Sequence, residues 1–129
     1  MLETIYKEAL DRKENPKEGS YTNYLFDKGL DKILKKVGEE ATEVVIAAKN
    51  ADKDEIANET ADVLYHLAVM LVETGVTTED IEAVLKARQA KKVTFTTDQK
   101  SQIIKQEEIG SSSLSFLSSL KQSVALLLG

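Results

Sequence analysis

The sequence predicts an all-α fold, a bundle of antiparallel helices, from three observations. One proline and 5% aromatic residues favour helices over a sheet. Apolar residues recur at intervals of three and four over long segments, which is the period of a helix with one buried face. The connections between these segments are short, and short connections make consecutive helices antiparallel neighbours.

The first two expected helices lie on either side of a break. The first spans residues 2–14, where the apolar residues share one face, and Pro16 lies just beyond its end. Ser20 can cap the second helix, which continues through Tyr24–Phe26 and is interrupted near Gly29.

Two long helices are expected next. The third runs from about Leu30 to Asn50, and the fourth from about Lys53 to Thr74, where Gly75 ends it. Asp52 and Glu55 have the spacing of a capping box at the start of the fourth helix. The positions expected to face the core are Leu30, Ile33, Leu34, Val37, Ala41, Val44, Val45, Ala48, Ile56, Thr60, Val63, Leu64, Leu67 and Leu71.

A fifth helix, capped by Thr77 or Thr78, completes the expected all-α domain of residues 1–90. Its apolar residues are Ile81, Val84 and Leu85. Residues 91–129 have a different texture, polar at first and then serine-rich with leucines. They are interpreted as an atypical C-terminal extension, flexible or weakly helical.

Composition excludes several functions. The net charge of −5 argues against nucleic acid or an acidic membrane surface as the main partner. No apolar stretch approaches the roughly 20 residues of a membrane-spanning helix, and the N-terminus lacks a secretory pattern. The absence of cysteine excludes disulfides and thiolate metal sites, and fits a cytoplasmic location.

Four acidic residues on the third and fourth helices form the strongest functional signal. Glu40 and Glu43 are three residues apart, and so are Glu59 and Asp62. Residues at this spacing lie on one helix face, about one turn apart. Such acids are ordinarily solvated charges. Two matching pairs on neighbouring helices would instead repel each other unless a cation lay between them, which predicts a divalent-metal site.

The donor set favours Mg²⁺. The chain has no thiol and one histidine, which disfavours zinc, whereas Mg²⁺ prefers oxygen ligands and is usually shared with substrate phosphates. The corresponding chemistry is phosphoanhydride hydrolysis, in which a carboxylate orients or deprotonates the attacking water. Glu39 points further outward on the helix and is expected to support the site rather than to bind the metal.

Other residues near the acids have two interpretations each. Lys36 can reach a substrate phosphate or pair with Glu40, and its spacing favours neither. The segment Ser20–Thr22 begins a helix, where free N–H groups and hydroxyls can hold a phosphate or only cap the helix. His66 is expected to be a packed, satisfied histidine, and Tyr65 to contribute to packing.

Two segments carry a resemblance to a known family. They read G-S-Y-T-N-Y-L-F-D-K-G-L-D-K-I-L-K-K-V-G-E-E-A-T-E-V and E-T-A-D-V-L-Y-H-L-A-V-M-L. Together they resemble phosphoribosyl-ATP pyrophosphohydrolase, the second enzyme of histidine biosynthesis, which belongs to the all-α, MazG-like nucleotide pyrophosphohydrolases. The resemblance covers about residues 2–90. The E-x-x-E and E-x-x-D pattern is common to the superfamily, and the segments S-Y-T, K-K-V-G-E-E and A-D-V-L-Y-H point to this member.

The resemblance implies a helical homodimer that uses Mg²⁺ to convert phosphoribosyl-ATP and water to phosphoribosyl-AMP and pyrophosphate. The implied metal ligands are Glu40, Glu43, Glu59 and Asp62, with Glu39 in the same acidic cluster. The implied substrate-facing residues are Ser20, Tyr21, Thr22, Lys36 and Arg88, of which Arg88 rests on a one-residue match.

Two alternatives stay open at this point. The same metal chemistry would serve a pyrophosphohydrolase of free deoxynucleotides such as dCTP or dUTP. A helical dimerisation module without enzymatic activity would share the fold but would bind Mg²⁺ weakly or not at all.

Overall fold

A computed structural model describes residues 1–90 and, beyond them, Gln122 alone. Within this part there are five helices: α1 (Leu2–Glu14), α2 (Tyr21–Lys28), α3 (Leu30–Lys49), α4 (Lys53–Thr74) and α5 (Thr78–Ala90). The prediction of an all-α bundle is confirmed, and no described helix has the length and apolar character needed to cross a bilayer. The interpretation of residues 91–129 as an extension lies outside the described residues.

The helix boundaries follow from local capping. Ser20 accepts a hydrogen bond from the amide of Asn23 at the start of α2 (3.3 Å), and Asp52 accepts one from Glu55 at the start of α4 (3.1 Å). Gly75 ends α4 in the left-handed conformation, with φ of 75°, which glycine adopts without steric cost. At the start of α5, Thr77 is the residue that caps, since its hydroxyl accepts from the Asp80 amide (3.1 Å).

The hydrophobic core lies at one end of the bundle. Leu25, Ile33 and Val69 are its largest fully buried side chains, and Ala9 and Val72 complete the buried cluster. These residues come from α1, α2, the first turn of α3 and the second half of α4. The core therefore joins four helices and fixes the short helix α2 against the α3–α4 pair.

The other end of the bundle is a two-helix arm, which we define as residues 34–49 of α3 and 53–65 of α4. In α3 only Ile33 and Ala47 are buried, and in α4 all five buried residues lie from His66 onward. The arm consequently has little interior of its own. Its apolar residues are mostly half-buried, among them Val37, Val44 and Val63.

Several expected core positions are therefore corrected. Ala41, Ala48 and Thr60 are exposed, and Leu30 and Leu34 remain 39% and 36% exposed. The helical period was right, but the apolar face of each helix is wider than the area that its neighbour covers. The residues at the borders of these faces stay in contact with solvent.

Truncating Ile33 should destabilise the fold in a graded manner. We expect Ile33→Val to lower the free energy of unfolding by about 0.5–1.5 kcal/mol and Ile33→Ala by about 2–5 kcal/mol, because the side chain is fully buried and the second variant leaves a cavity. Urea unfolding with an unchanged m-value measures both. Equal, small losses for the two variants would show that this position is not part of a packed core.

Candidate metal and phosphate site

Three of the four predicted metal ligands meet on the inner edge of the arm. Glu40 of α3 and Glu59 and Asp62 of α4 each offer a carboxylate oxygen, and these oxygens lie within 4.8 Å of one another. The i, i+3 spacing places the two acids of α4 one turn apart on the same face. Antiparallel packing of α3 on α4 then brings Glu40 beside them. We call these three residues the carboxylate triad.

Mutual repulsion within the triad changes the protonation of Glu59. A hydrogen bond with Glu40 raises the pKa of the Glu59 carboxyl, burial raises it further, and the charges of Glu40, Asp62 and Glu43 act in the same direction. A hydrogen bond between two carboxyl groups requires a proton on one of them. The raised pKa of Glu59 therefore reflects carboxyl groups that are held close together.

The remaining two acids of α3 are placed differently. Glu43 is outside the triad and exposed, although its charge acts on Glu59. Glu39 lies beside two lysines, with its carboxylate 3.9 Å from the Lys35 Nζ and 3.5 Å from the Lys36 Nζ. Glu39 therefore pairs with two lysine side chains beside the triad and is not itself a member of the triad.

Lys36 is the cationic side chain closest to the triad among those with a described ion pair. Its Nζ is 3.9 Å from the Glu40 carboxylate and 3.5 Å from the Glu39 carboxylate. In this structure, therefore, Lys36 pairs with both glutamates. Burial acts to lower the pKa of Lys36, but the neighbouring Tyr21, Glu39 and Glu40 outweigh it and raise that pKa. The ammonium group therefore stays charged and available to a phosphate.

The first turn of α2 faces the same region. Tyr21 is 45% exposed, and its hydroxyl lies 3.2 Å from the Nε2 of His66. Burial is the largest of the effects that raise the pKa of Tyr21, so its hydroxyl stays protonated. Thr22 is buried, and its hydroxyl is hydrogen-bonded to the hydroxyl of Tyr65 rather than directed to solvent. Ser20 caps the helix.

An open groove of about 850 Å³ runs along α2 and includes Tyr21 in its lining. Its aromatic wall includes Tyr21, Tyr24 and Phe26, and the rings of Tyr21 and Tyr24 stack with centroids 5.9 Å apart. Lys17 and Ser20 contribute polar groups. Tyr21 lines this groove, and its pKa is also affected by the charges of Lys36 and Glu40, so Tyr21 is near both the groove and the acidic cluster.

Three residues with polar roles were missed by sequence reasoning. Asn23 donates to the carbonyl of Arg12 (2.6 Å) and accepts from the Lys17 amide (3.0 Å), which fixes the loop before α2. His66 is buried, as expected, but it also contacts Tyr21, and Tyr65 contacts Thr22 rather than only packing. The sequence did contain a signal for Tyr65 and His66. They follow Asp62 by three and four residues, which places them one helical turn from a predicted site residue.

Arg88 is not brought to this site. It is exposed in the last turn of α5, and α5 packs against α1.

Comparisons with known proteins agree with the geometry. A family model described as phosphoribosyl-ATP pyrophosphohydrolase matches residues 3–89. A Streptococcus thermophilus protein named phosphoribosyl-ATP pyrophosphatase is 90% identical over 91 residues, which are 70% of this chain and 88% of the relative. Proteins of the same name from Streptococcus sanguinis and Clostridium novyi are 80% and 58% identical over 91 residues, covering 88% and 83% of their lengths.

The Glu59 carboxyl should titrate above the ordinary glutamate range in metal-free protein. We expect Glu40→Gln to lower the Glu59 pKa towards its usual value, because the partner that shares the proton and its charge are both removed. Since the folded state holds a proton that the unfolded state releases, this group's contribution to stability is present at low pH and is lost as pH rises through the raised pKa. NMR titration of the carboxyl carbons measures the shift. Glu39→Gln is the matched control, since Glu39 pairs with lysines, and an equal shift in both variants would contradict the shared proton.

Proposed function

The chain belongs to the phosphoribosyl-ATP pyrophosphohydrolase family, and we propose that it hydrolyses phosphoribosyl-ATP to phosphoribosyl-AMP and pyrophosphate, in histidine biosynthesis, with Mg²⁺ as its cofactor. The observation that carries the proposal is the carboxylate triad, which lies within the family match and gathers three oxygen ligands from two helices. We propose a cytoplasmic location, with which the cysteine-free composition is compatible.

The residues of the triad fit a hard dication. Glu40, Glu59 and Asp62 would hold Mg²⁺, and Glu43 is proposed as a fourth ligand reached by a change of its exposed side chain. When bound, Mg²⁺ would neutralise charge on the phosphate oxygens and lower the pKa of the water that it binds. The raised pKa of Glu59 is compatible with the fit, because the hydrogen bond with Glu40, burial and the charges of the neighbouring acids all disfavour a third free carboxylate at this place.

The other side chains act on the substrate directly. The charged Lys36 is placed to pair with a phosphate oxygen, and Glu39 holds it beside the triad. Ser20, Tyr21 and Thr22 are proposed to face the substrate through the first backbone amides of α2, which lack partners within the helix, and through the half-exposed Tyr21, because the hydroxyls of Ser20 and Thr22 are already hydrogen-bonded. A carboxylate of the acidic cluster accepts a proton from the attacking water. The water oxygen bonds to phosphorus, the bridging P–O bond breaks, and pyrophosphate leaves.

Arg88 remains a predicted substrate contact that rests on the family resemblance alone.

We also propose that the protein is a homodimer in which the arm is covered by a second copy. The arm has one buried residue, Ala47, although it carries a row of half-buried apolar side chains along both helices. A helical hairpin with such stripes is the half of a four-helix bundle. Because the triad lies on the arm, dimerisation would also hold α3 and α4 at the spacing that the metal requires.

Replacing one triad carboxylate should abolish turnover without unfolding the protein. We expect Glu59→Gln to reduce kcat/KM for phosphoribosyl-ATP by roughly 100-fold or more, because it removes a charged ligand at the reacting centre. Pyrophosphate release with Mg²⁺ measures turnover, and calorimetry measures Mg²⁺ binding. Glu55→Gln, an exposed acid one turn earlier on α4, is the matched control and should change the rate by less than about twofold.

The same assay separates the rival functions. A panel of deoxynucleoside triphosphates is offered beside phosphoribosyl-ATP, and turnover of the panel alone would reject the proposed substrate. Negligible Mg²⁺ heats for both the wild type and Glu59→Gln, with no turnover, would favour a non-enzymatic dimerisation module.

Sedimentation equilibrium should give twice the chain mass of 14.3 kDa at micromolar concentration. We expect Leu34→Asp to weaken the dimer, because it places a charge at the start of the arm's exposed apolar face. Leu85→Asp is the control on α5, where Leu85 is 51% exposed and lies off the arm. Dissociation by Leu85→Asp but not by Leu34→Asp would place the interface on α5 instead.

A further inference from the structure

Two side chains of α4 connect the carboxylate triad to the first turn of α2. Tyr65 and His66 follow Asp62 by three and four residues, so both lie one turn beyond it on the same side of the helix. His66 is 4% exposed, although histidine is ordinarily more accessible. One turn of α4 thus supports the triad at one end and α2 at the other.

The contacts of His66 fix the direction of its hydrogen bond to Tyr21. Its Nδ1 lies 2.7 Å from the carbonyl oxygen of Asp62. A carbonyl oxygen only accepts, so Nδ1 carries a proton, and in the neutral tautomer that this contact selects, Nε2 is an acceptor. The Tyr21 hydroxyl, 3.2 Å away, therefore donates to Nε2. The phenol is held in one direction by a group whose own orientation is fixed by the backbone of a triad residue.

A second polar pair runs parallel to the first. The hydroxyls of Thr22 and Tyr65 are hydrogen-bonded to each other, and the rings of Tyr21 and Tyr65 stack with centroids 6.2 Å apart. His66 packs its edge against both rings, with centroid distances of 6.0 Å to Tyr21 and 5.2 Å to Tyr65. We call these four residues the α2–α4 clasp.

The clasp matters because α2 is short. Its eight residues are fewer than the roughly 12–15 that an isolated helix needs to be stable in water, so its position depends on tertiary contacts. Leu25 anchors the middle of α2 in the core. The clasp holds the first turn, where Tyr21 lines the groove.

We propose that Tyr65 and His66 are positioning residues that hold Tyr21 and the start of α2 at a fixed distance from the metal-binding carboxylates. The inference rests on the proposed function, because it takes the start of α2 to face phosphoribosyl-ATP. Tyr21 lines the groove and not the triad, so it would contact the substrate outside the reacting phosphates. Interactions of that kind are made equally in the ground and transition states, and their loss raises KM without lowering kcat.

A double-mutant cycle tests the clasp in the full-length protein. Tyr21→Phe and His66→Leu should each raise KM for phosphoribosyl-ATP about three- to tenfold, the scale of one lost hydrogen bond, while kcat and Mg²⁺ affinity stay within about twofold. The double variant should be no worse than the more impaired single one, because both remove the same interaction. His66→Gln should restore most of the wild-type KM, since its amide oxygen can accept from Tyr21.

Tyr6→Phe is the matched control for hydroxyl removal, because Tyr6 packs on the core from α1 and is not in the site. A purely structural role of His66 predicts a different result, with additive losses, weaker Mg²⁺ binding, a lower Tm and no rescue by glutamine. If His66→Leu does not fold, the KM values of Tyr21→Phe and His66→Gln still test the proposal. An unchanged KM in Tyr21→Phe would overturn the proposed role of the clasp. A wild-type protein without turnover of phosphoribosyl-ATP refutes the proposed function itself, whereas an active wild type with unaffected variants refutes the clasp alone.

Discussion

The contact between α3 and α4 is the interaction on which the site depends, because it holds together groups that repel each other. Glu40, Glu59 and Asp62 approach to within 4.8 Å, and the cost of that approach is visible in the raised pKa of Glu59. A cluster of this kind does not stabilise its own fold. Its geometry is maintained by apolar packing elsewhere, so the three carboxylates are already assembled for the proposed metal ion.

The fold separates the region that supplies stability from the region that carries the chemistry. Leu25, Ile33 and Val69 form the core at one end, where four helices meet. The triad lies on the arm, where two helices meet and few residues are buried. Under the proposed dimer, a second copy covers the arm, so that metal binding and association stabilise the same helix pair.

The two sides of the site differ in chemistry. The α3–α4 arm supplies negative charge, which suits a dication, and Lys36 and the start of α2 supply a cation and hydrogen-bond donors, which suit phosphate. A metal-bound phosphoanhydride needs both, because the metal compensates the carboxylates and the remaining phosphate charge needs separate partners. The α2–α4 clasp links the two sides through a single turn of α4.

The sequence by itself determined the helices, their caps and the spacing of the two acid pairs, because these depend on residues within one turn of each other. Ser20, Asp52 and Gly75 illustrate this, since each end of a helix is set by its nearest neighbours. Tertiary structure decided the rest. It left Thr60 and Ala41 exposed, buried the hydroxyl of Thr22 and paired His66 with Tyr21, a residue 45 positions away. Helical periodicity predicts which face of a helix a residue occupies. It does not predict how much of that face a neighbouring helix covers or which residue of the neighbouring helix is in contact, because both depend on how the helices pack.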